Sequence, residues 1–402
     1  MANNSNKKKK KSSKQKDYFS MNEVLIITIL AIIFGWFIGS IVTDKTSKMT
    51  ESKEIKKLHS VYNHIVSNYY KKVDKNKLIE ASINGMLEYL DDPYTSYMTK
   101  DETDSFNQVM TGEYKGVGIS IIKYKEDIII TGVFKDSPAD KAGVKMGDII
   151  LEVAGKSIKG KDSNDVIDLV KNKKEVKIKI KRKDEDKEFL MKPQKIEIPS
   201  VSSQVLKKNG KKVGLISISI FASNTSTQFK KELQSLEEQD IDLYIIDLRG
   251  NYGGYLASAT NILSQFMDST HVIYQIKNNT KTTKYYSNGK ITKKHKLVVL
   301  IDENSASASE VVAAALKESY GAIIVGKKSY GKGTVQQTAD LVGGGSIKYT
   351  TENWLTPKGE YINKRGIEPN ISVDLDEDYY NNPTDENDTQ FQAALEEITK
   401  SN

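Results

Sequence analysis

Residues 24–42 read VLIITILAIIFGWFIGSIV, nineteen consecutive positions without a charge, and no other stretch of the chain resembles them. About 20 apolar residues in a helix cross a hydrocarbon core of roughly 30 Å, so this segment constrains where everything after it can fold. A secretory signal has a shorter apolar core, about 7 to 15 residues, and ends in a small-x-small cleavage site. Gly39-Ser40-Ile41-Val42 matches such a site poorly. The segment therefore reads as an uncleaved single-pass transmembrane anchor. Residues 1–23 form a lysine-rich tail before it, with seven lysines and one aspartate in the first twenty positions. Positive flanks stay cytoplasmic, which places the chain from Thr43 onwards outside.

The remainder is expected to be soluble and globular. Apolar residues make up 38% and charged residues 28% of the chain, which excludes a polytopic membrane protein and wholesale disorder. At 402 residues, two or three domains of about 100 to 200 residues are expected. Cysteine is absent, which removes disulfides, thiolate zinc sites and a cysteine nucleophile. The histidines His59, His64, His271 and His295 form no close pair, so neither a metal nor another cofactor is expected. The net charge of +7 suggests nucleic acid, but most of it sits in the first twenty residues. Only Arg182, Arg249 and Arg365 are arginine, the residue that nucleic-acid readers favour for bidentate contacts. No nucleic-acid partner is expected.

Within 43–110 the apolar residues fall at helical spacing, first Leu58, Val61, Ile65 and Tyr69, then Leu78, Ile79, Ile83, Met86, Leu87 and Leu90. Asp91-Asp92-Pro93-Tyr94 ends the second helix, and these are read as packing helices without chemistry. From 111 to 192 the period changes to that of strands. Residues 116–122 and 128–133 read as strands, 165–170 as a helix, and the lysine-alternating 176–180 as an edge strand. Gly116-Val117-Gly118-Ile119, followed by SPADKAGVKMGDIILEVAGKSI, resembles a PDZ domain. Consecutive amides of such a loop can face one concavity and hold a terminal carboxylate. The resemblance implies an extended peptide beside Ile119 and Ile121, facing Val166 and Val170.

From 193 to 375 strands and helices alternate, which indicates an α/β layer architecture. The apolar run 243–248 leads into Asp247-Leu248-Arg249-Gly250-Asn251-Tyr252-Gly253-Gly254, where the glycines are either an ordinary turn or a close backbone approach to a reacting group. Asn288-Gly289 reads as a hairpin turn between Tyr285-Tyr286 and Ile291. Residues 277–296 hold seven lysines and no acid, read as a solvated hairpin. The strand 297–301 runs into Asp302-Glu303-Asn304-Ser305-Ala306-Ser307-Ala308-Ser309-Glu310 and a helix. That is either an exposed serine at a helix N-terminus or a plain N-cap helped by Glu310. After the next strand comes Gly331-Lys332-Gly333-Thr334-Val335-Gln336. The histidines offer a serine no base, whereas a desolvated lysine can accept its proton.

Together these segments, from about 58 to 374, resemble the carboxyl-terminal processing peptidases, or tail-specific proteases. The resemblance implies Ser307 as nucleophile, Lys332 in its neutral form as base, and Gln336 orienting the amine. It implies an oxyanion hole from the amides of Ala308 and Gly253. Tyr252 replaces a proline common in relatives, so Gly254 is the alternative donor. Ser305 is the alternative N-cap and Ser309 a helix residue. The architecture expected is an α/β protease core with an inserted, mostly β PDZ domain, a helical N-terminal region, one N-terminal transmembrane helix, and an acidic segment 376–402 bearing a packing helix. The function expected is a membrane-anchored serine endopeptidase of a bacterial cell membrane, its protease domain extracellular. It would cleave proteins near free C-termini after the PDZ domain recognises the tail. The rival is an inactive PDZ adaptor that binds such tails uncut. The family includes oligomers, which leaves a homo-oligomer open.

Overall fold

The computed structural model describes residues 52–171, 173–278, 280–290 and 294–400. The tail 1–23 and the anchor 24–42 lie outside them. Among the described residues no helix is long and apolar enough to cross a membrane. The chain divides into two compact units, residues 1–83 and 84–402.

In the first unit α1 (Lys53–Asn68) is capped by Ser52, whose Oγ accepts from the Ile55 amide, and α2 (Lys75–Glu88) begins there and ends in the second. Both helices form where the periodicity places them, but neither buries a side chain. Ile55, Leu58, Val61 and Met86 remain exposed, while Ile65, Leu78, Ile83 and Leu87 on the same stripes are half-buried.

The second unit opens with β1 (Ser96–Met98) and α3 (Lys100–Thr111), the latter held by a reciprocal cap between Thr99 and Glu102. β2 (Glu113–Gly116) then leads into a small β domain: β3 (Ile119–Tyr124), β4 (Asp127–Val133), α4 (Pro138–Ala142), β5 (Ile149–Val153), β6 (Lys156–Ser157), α5 (Ser163–Lys171), β7 (Val176–Arg182) and β8 (Glu185–Met191). The chain returns through β9 (Gln194–Glu197), which pairs antiparallel with β2, so entry and exit lie side by side and the domain is an insertion. Its sheet runs β3-β4-β5-β7-β8, which leaves β3 at an edge. β7 is interior rather than the edge strand its lysines suggest. Val176, Ile178 and Ile180 are buried, while Lys177 and Lys179 pair with Glu188 and Asp186 across β8.

The core domain follows with β10 (Val201–Lys208), β11 (Lys211–Ile218), α6 (Thr225–Glu237), β12 (Leu243–Asp247), α7 (Leu256–Leu263), β13 (Val272–Lys277), β14 (Thr282–Tyr286), β15 (Lys296–Ile301), α8 (Ala308–Ala315), β16 (Ile323–Gly326), β17 (Thr334–Asp340), β18 (Ser346–Leu355), β19 (Ile371–Ser372), α9 (Glu377–Asn381) and α10 (Thr389–Thr399). The main sheet has the order β10-β11-β12-β15-β16-β19, parallel from β11 onwards. Its strands are covered on both faces, which is why they read as continuous apolar runs. In β15, Leu297, Val299 and Ile301 join one core with α6, α7 and α8, while Val298 and Leu300 meet Phe391, Ala394, Leu395 and Ile398 of α10. A second sheet, β1-β18-β13-β14 with β17 also on β18, carries the rest of the site. β13 and β14 follow one another with the Asn278 amide donating to the Lys281 carbonyl between them, and Asn288-Gly289 comes after β14, with Ile291, the far side of the hairpin expected there, outside the described residues. Gly289 instead packs on the carbonyls of Ser264 and Met267, where a Cβ would clash.

Arg249 fastens α10 to the end of β12. Its Nε and Nη2 donate to Asp247 at 3.0 and 2.8 Å, and its Nη1 donates to both Asp388 oxygens at 2.9 and 2.8 Å and to Gln390 Oε1 at 3.2 Å. Burial opposes its charge, but Asp247 and Asp388 outweigh burial and hold the guanidinium above its ordinary pKa. A lysine cannot reproduce this fork. Arg249→Met is expected to lower stability by roughly 3 kcal/mol, as when buried carboxylates lose their partner. A urea midpoint equal to that of the wild type would contradict this.

Candidate active site

Three loops leave the carboxyl ends of neighbouring parallel strands: 248–254 after β12, 302–307 after β15 and 327–333 after β16. In open α/β sheets this is the edge where ligands bind. Here the loops surround a cavity of about 860 Å³, lined by Ser307, Ala308, Lys332, Gln336, Gly253 and Gly254 together with apolar residues such as Val109, Met110, Leu256 and Trp354.

Ser307 stands between β15 and α8 with φ +55° and ψ −114°. A non-glycine residue in that region costs on the order of 1–3 kcal/mol and persists only where its surroundings enforce it. The neighbouring serines do part of this. Ser305 Oγ donates to the Leu248 carbonyl at 2.9 Å and Ser309 Oγ donates to the Asn251 carbonyl at 2.7 Å, each hydroxyl tying the turn to the loop after β12. Both serines are fully buried, whereas Ser307 is half-buried and faces the cavity. The cap of α8 is thus Ser307 and not Ser305. Gly253 packs against the same turn, and a Cβ there would lie 2.7 Å from the Ala306 oxygen and 2.8 Å from the Ser307 Cβ.

The Glu310 carboxylate joins the serine turn to the lysine loop. Its Oε2 accepts from the amides of Ser307 at 2.8 Å and Lys332 at 2.9 Å, and its Oε1 accepts from Ser329 Oγ at 2.6 Å and the Gly331 amide at 2.7 Å. Glu310 is fully buried, and burial raises its pKa against the pull of these donors. The Trp354 indole donates to the Lys332 carbonyl at 2.9 Å, so the lysine backbone is held from both sides. The flanking glycines are required by the close passage of residues 363–366. A Cβ on Gly333 would lie 2.6 Å from the Asn363 amide nitrogen.

The Lys332 side chain is half-buried, with Nζ 4.8 Å from the centre of the Tyr94 ring. Burial, and then the charge of Lys348, lower its pKa below the lysine value, while Glu310 and Asp92 act the other way. Gln336 Nε2 donates to Thr334 Oγ1 at 2.8 Å and to Thr350 Oγ1 at 3.2 Å, leaving the amide oxygen as its acceptor. The structure brings Ser307, Lys332 and Gln336 to one cavity, without a direct hydrogen bond among their side chains. Of the two oxyanion donors expected, Ala308 is the first residue of α8, where amides lack an intrahelical acceptor. The Gly253 amide, in contrast, donates to Asn251 Oδ1 at 2.9 Å. None of the four histidines lines the cavity.

The PDZ residues form a separate group away from it. Val117, Val166 and Val170 are buried in the core of the inserted domain, with Ile119 and Ile121 partly buried against them. Gly116 and Gly118 hold the loop, and Gly118, at φ +85°, packs on Ser137. The Tyr114 hydroxyl is buried without a hydrogen-bond partner among the described residues, and burial pushes its phenol up to about 12.

Comparison with known proteins agrees with this architecture. The family described as "Peptidase family S41" matches residues 212–373, "PDZ domain" matches 129–182, and "Activating protease CtpB N-terminal domain" matches 38–103. A "Probable CtpA-like serine protease" of Staphylococcus aureus (strain COL) is 36% identical over 87% of this chain and 70% of its own length. The "Carboxy-terminal processing protease CtpB" of Bacillus subtilis (strain 168) is 40% identical over 80% of this chain and 68% of its own. The chain belongs to peptidase family S41. A solved structure, a putative S41 protease from Bacteroides fragilis NCTC 9343, shares the fold at 16% identity, with a TM-score of 0.51 over 83% of this chain and 91% of the other. The S41 peptidase is a carboxy-terminal processing serine protease by class.

Sequence reasoning missed the second arm of Glu310. The Ser-x-x-Glu spacing signals the cap on Ser307 but not the reach to Lys332. It also missed Asp92, Tyr94 and Thr350, which come from segments remote in sequence. In Glu310→Gln the new NH₂ cannot accept, so two donors lose their partner at roughly 1–3 kcal/mol each. Thermal stability and peptidase activity are both expected to fall, and a Glu310→Gln variant of the S41 peptidase that keeps both would contradict this assignment.

Proposed function

We propose that the protein is a membrane-anchored endopeptidase with a Ser307–Lys332 dyad, which cleaves protein substrates near their C-termini outside a bacterial cell membrane. The observation that carries this reading is the pairing, in one cavity, of the Ser307 hydroxyl on a strained turn with a half-buried lysine whose pKa burial lowers.

In this reading Ser307 Oγ attacks the scissile carbonyl carbon and its proton passes to the neutral Nζ of Lys332. The carbonyl oxygen becomes the oxyanion, held by the Ala308 amide at the start of α8, where the helix dipole favours negative charge. The second donor is Gly254, or Gly253 once its amide leaves Asn251. The Lys332 ammonium then protonates the departing amine. Water hydrolyses the acyl-enzyme by the same proton route, returning the hydroxyl to Ser307. Gln336, its nitrogen committed to the two threonines, offers its oxygen to orient the amine.

The PDZ domain selects the substrate in this proposal. β3 stands at the edge of its sheet, where a terminal peptide would add as a strand beside α5, whose Val166 and Val170 pack into the domain core beneath it. The anchor 24–42, preceded by its lysines, supports a cytoplasmic N-terminus and an external protease.

Ser307→Ala and Lys332→Ala are each expected to abolish cleavage of an unstructured protein while circular dichroism stays unchanged. Full activity in either variant would remove the dyad, and binding of a tail peptide without cleavage by the wild type would favour an adaptor. Activity should rise with pH as Lys332 loses its proton, along a limb centred below the ordinary lysine value of 10.5. Lys348 repels the protonated form, so Lys348→Met should raise the Lys332 pKa and move that limb to higher pH. A limb that stays in place would contradict the assignment of Lys332 as base.

A further inference from the structure

The turn before β1 is folded over the lysine. Pro93 restricts the backbone, and Asp92 closes the turn by accepting the Tyr94 amide at 3.0 Å and the Thr95 hydroxyl at 2.6 Å. The turn is then fixed to the second sheet. The Thr350 amide donates to Thr95 Oγ1 at 3.1 Å, and the next residue, Ser96, pairs with Lys348 in the register of β1 on β18. As a result the face of the Tyr94 ring meets Lys332 Nζ at 4.8 Å, within the reach of a cation–π contact. Burial, and then Tyr330, push the Tyr94 phenol up to about 12, so the ring stays neutral. Thr350, whose amide donates to Thr95, also accepts from Gln336 Nε2 through its hydroxyl at 3.2 Å. Burial pushes Asp92 up, but Thr350, Thr95, the Tyr94 amide and the charge of Lys332 together hold it below the usual carboxylate range.

We propose that this turn is a positioning device for the dyad: the Tyr94 ring seats the Lys332 amine in the cavity, and Asp92, through Thr95, holds the turn on the strand whose Thr350 accepts from Gln336. The inference rests on the reading of Lys332 as the base. It assigns work to a segment that reads as a helix terminator, and it makes the residues before β1 part of what completes the site. The two residues differ in what they supply. Tyr94 supplies a face at a fixed place, so its loss acts on turnover. Asp92 supplies a negative charge as well as a hydrogen-bond acceptor, so its loss also alters the balance on Lys332, which Glu310 from α8, Lys348 from β18 and the neutral Tyr94 otherwise set.

The test is a pH series of kcat and KM with an unstructured protein substrate, using the full chain and Asp92→Asn, Tyr94→Leu, Tyr94→Phe and Lys332→Ala, with melting temperatures taken beside it. Tyr94→Leu should lower kcat about tenfold or more, a part of the roughly 10²- to 10⁴-fold that a positioned base contributes, with KM little changed. Tyr94→Phe keeps the face and should recover most of that loss. Asp92→Asn removes an anion that favours the ammonium, so the ascending limb should move to lower pH. A merely structural turn would change melting temperature without moving the limb or separating Phe from Leu. The proposal is overturned if Asp92→Asn leaves the limb in place and Tyr94→Leu turns over like Tyr94→Phe, with Lys332→Ala inactive. Activity in Lys332→Ala would instead bring down the dyad reading, and the proposal with it.

Discussion

The Glu310 carboxylate is the point on which the site depends. Ser307 and Lys332 come from loops after different strands, and neither loop is regular enough to place a side chain by itself. One fully buried carboxylate accepts from the backbone of both, at 2.8 and 2.9 Å, and from Ser329 and Gly331 besides. Burying a charge is costly unless its lone pairs are met, and here they are met by groups belonging to the elements that must be brought together. The same contact maintains the unfavourable backbone of Ser307, because the amide that Glu310 holds is that of the strained residue.

Around this clip the fold supplies direction. Parallel strands deliver their loops to one edge, and burial on both faces fixes β12, β15 and β16 in register. The buried serines on either side of Ser307 carry their hydroxyls to backbone carbonyls, and the middle one remains at the cavity. The second sheet closes the site from above the lysine with Gln336, Lys348 and Thr350, and Tyr94 arrives through β1. Burial and Lys348 favour the neutral amine while Glu310 and Asp92 resist, so the protonation of Lys332 is set by groups from separate elements.

Much of this was legible in the sequence. Strands covered on both faces had to be apolar runs, whereas the reason for the glycines around Lys332 appears only in the structure, where a loop passes close to them. Ser307 could be singled out from the three serines only through the family pattern; what sets it apart in the structure is that Ser305 and Ser309 spend their hydroxyls on backbone carbonyls. Other features were hidden because they depend on distant partners. Val176 to Ile180 looks like an edge strand until the acids of β8 are seen opposite its lysines. Asn288-Gly289 has the composition of a hairpin turn, yet its glycine answers a close approach to the carbonyls of Ser264 and Met267. Asp92-Pro93-Tyr94 ends a helix, as read, but no local pattern tells which side chain its ring will cover.

In the proposed dyad Glu310 presents Ser307, and not its neighbours, to Lys332. The most direct measurement is the site and pH dependence of modification by a serine-directed phosphonylating reagent, with the adduct located by peptide mass spectrometry. The account predicts a single adduct on Ser307, forming faster as pH rises and far more slowly in Glu310→Gln. An adduct on Ser305 or Ser309, or labelling of Ser307 that is indifferent to Glu310, would contradict it.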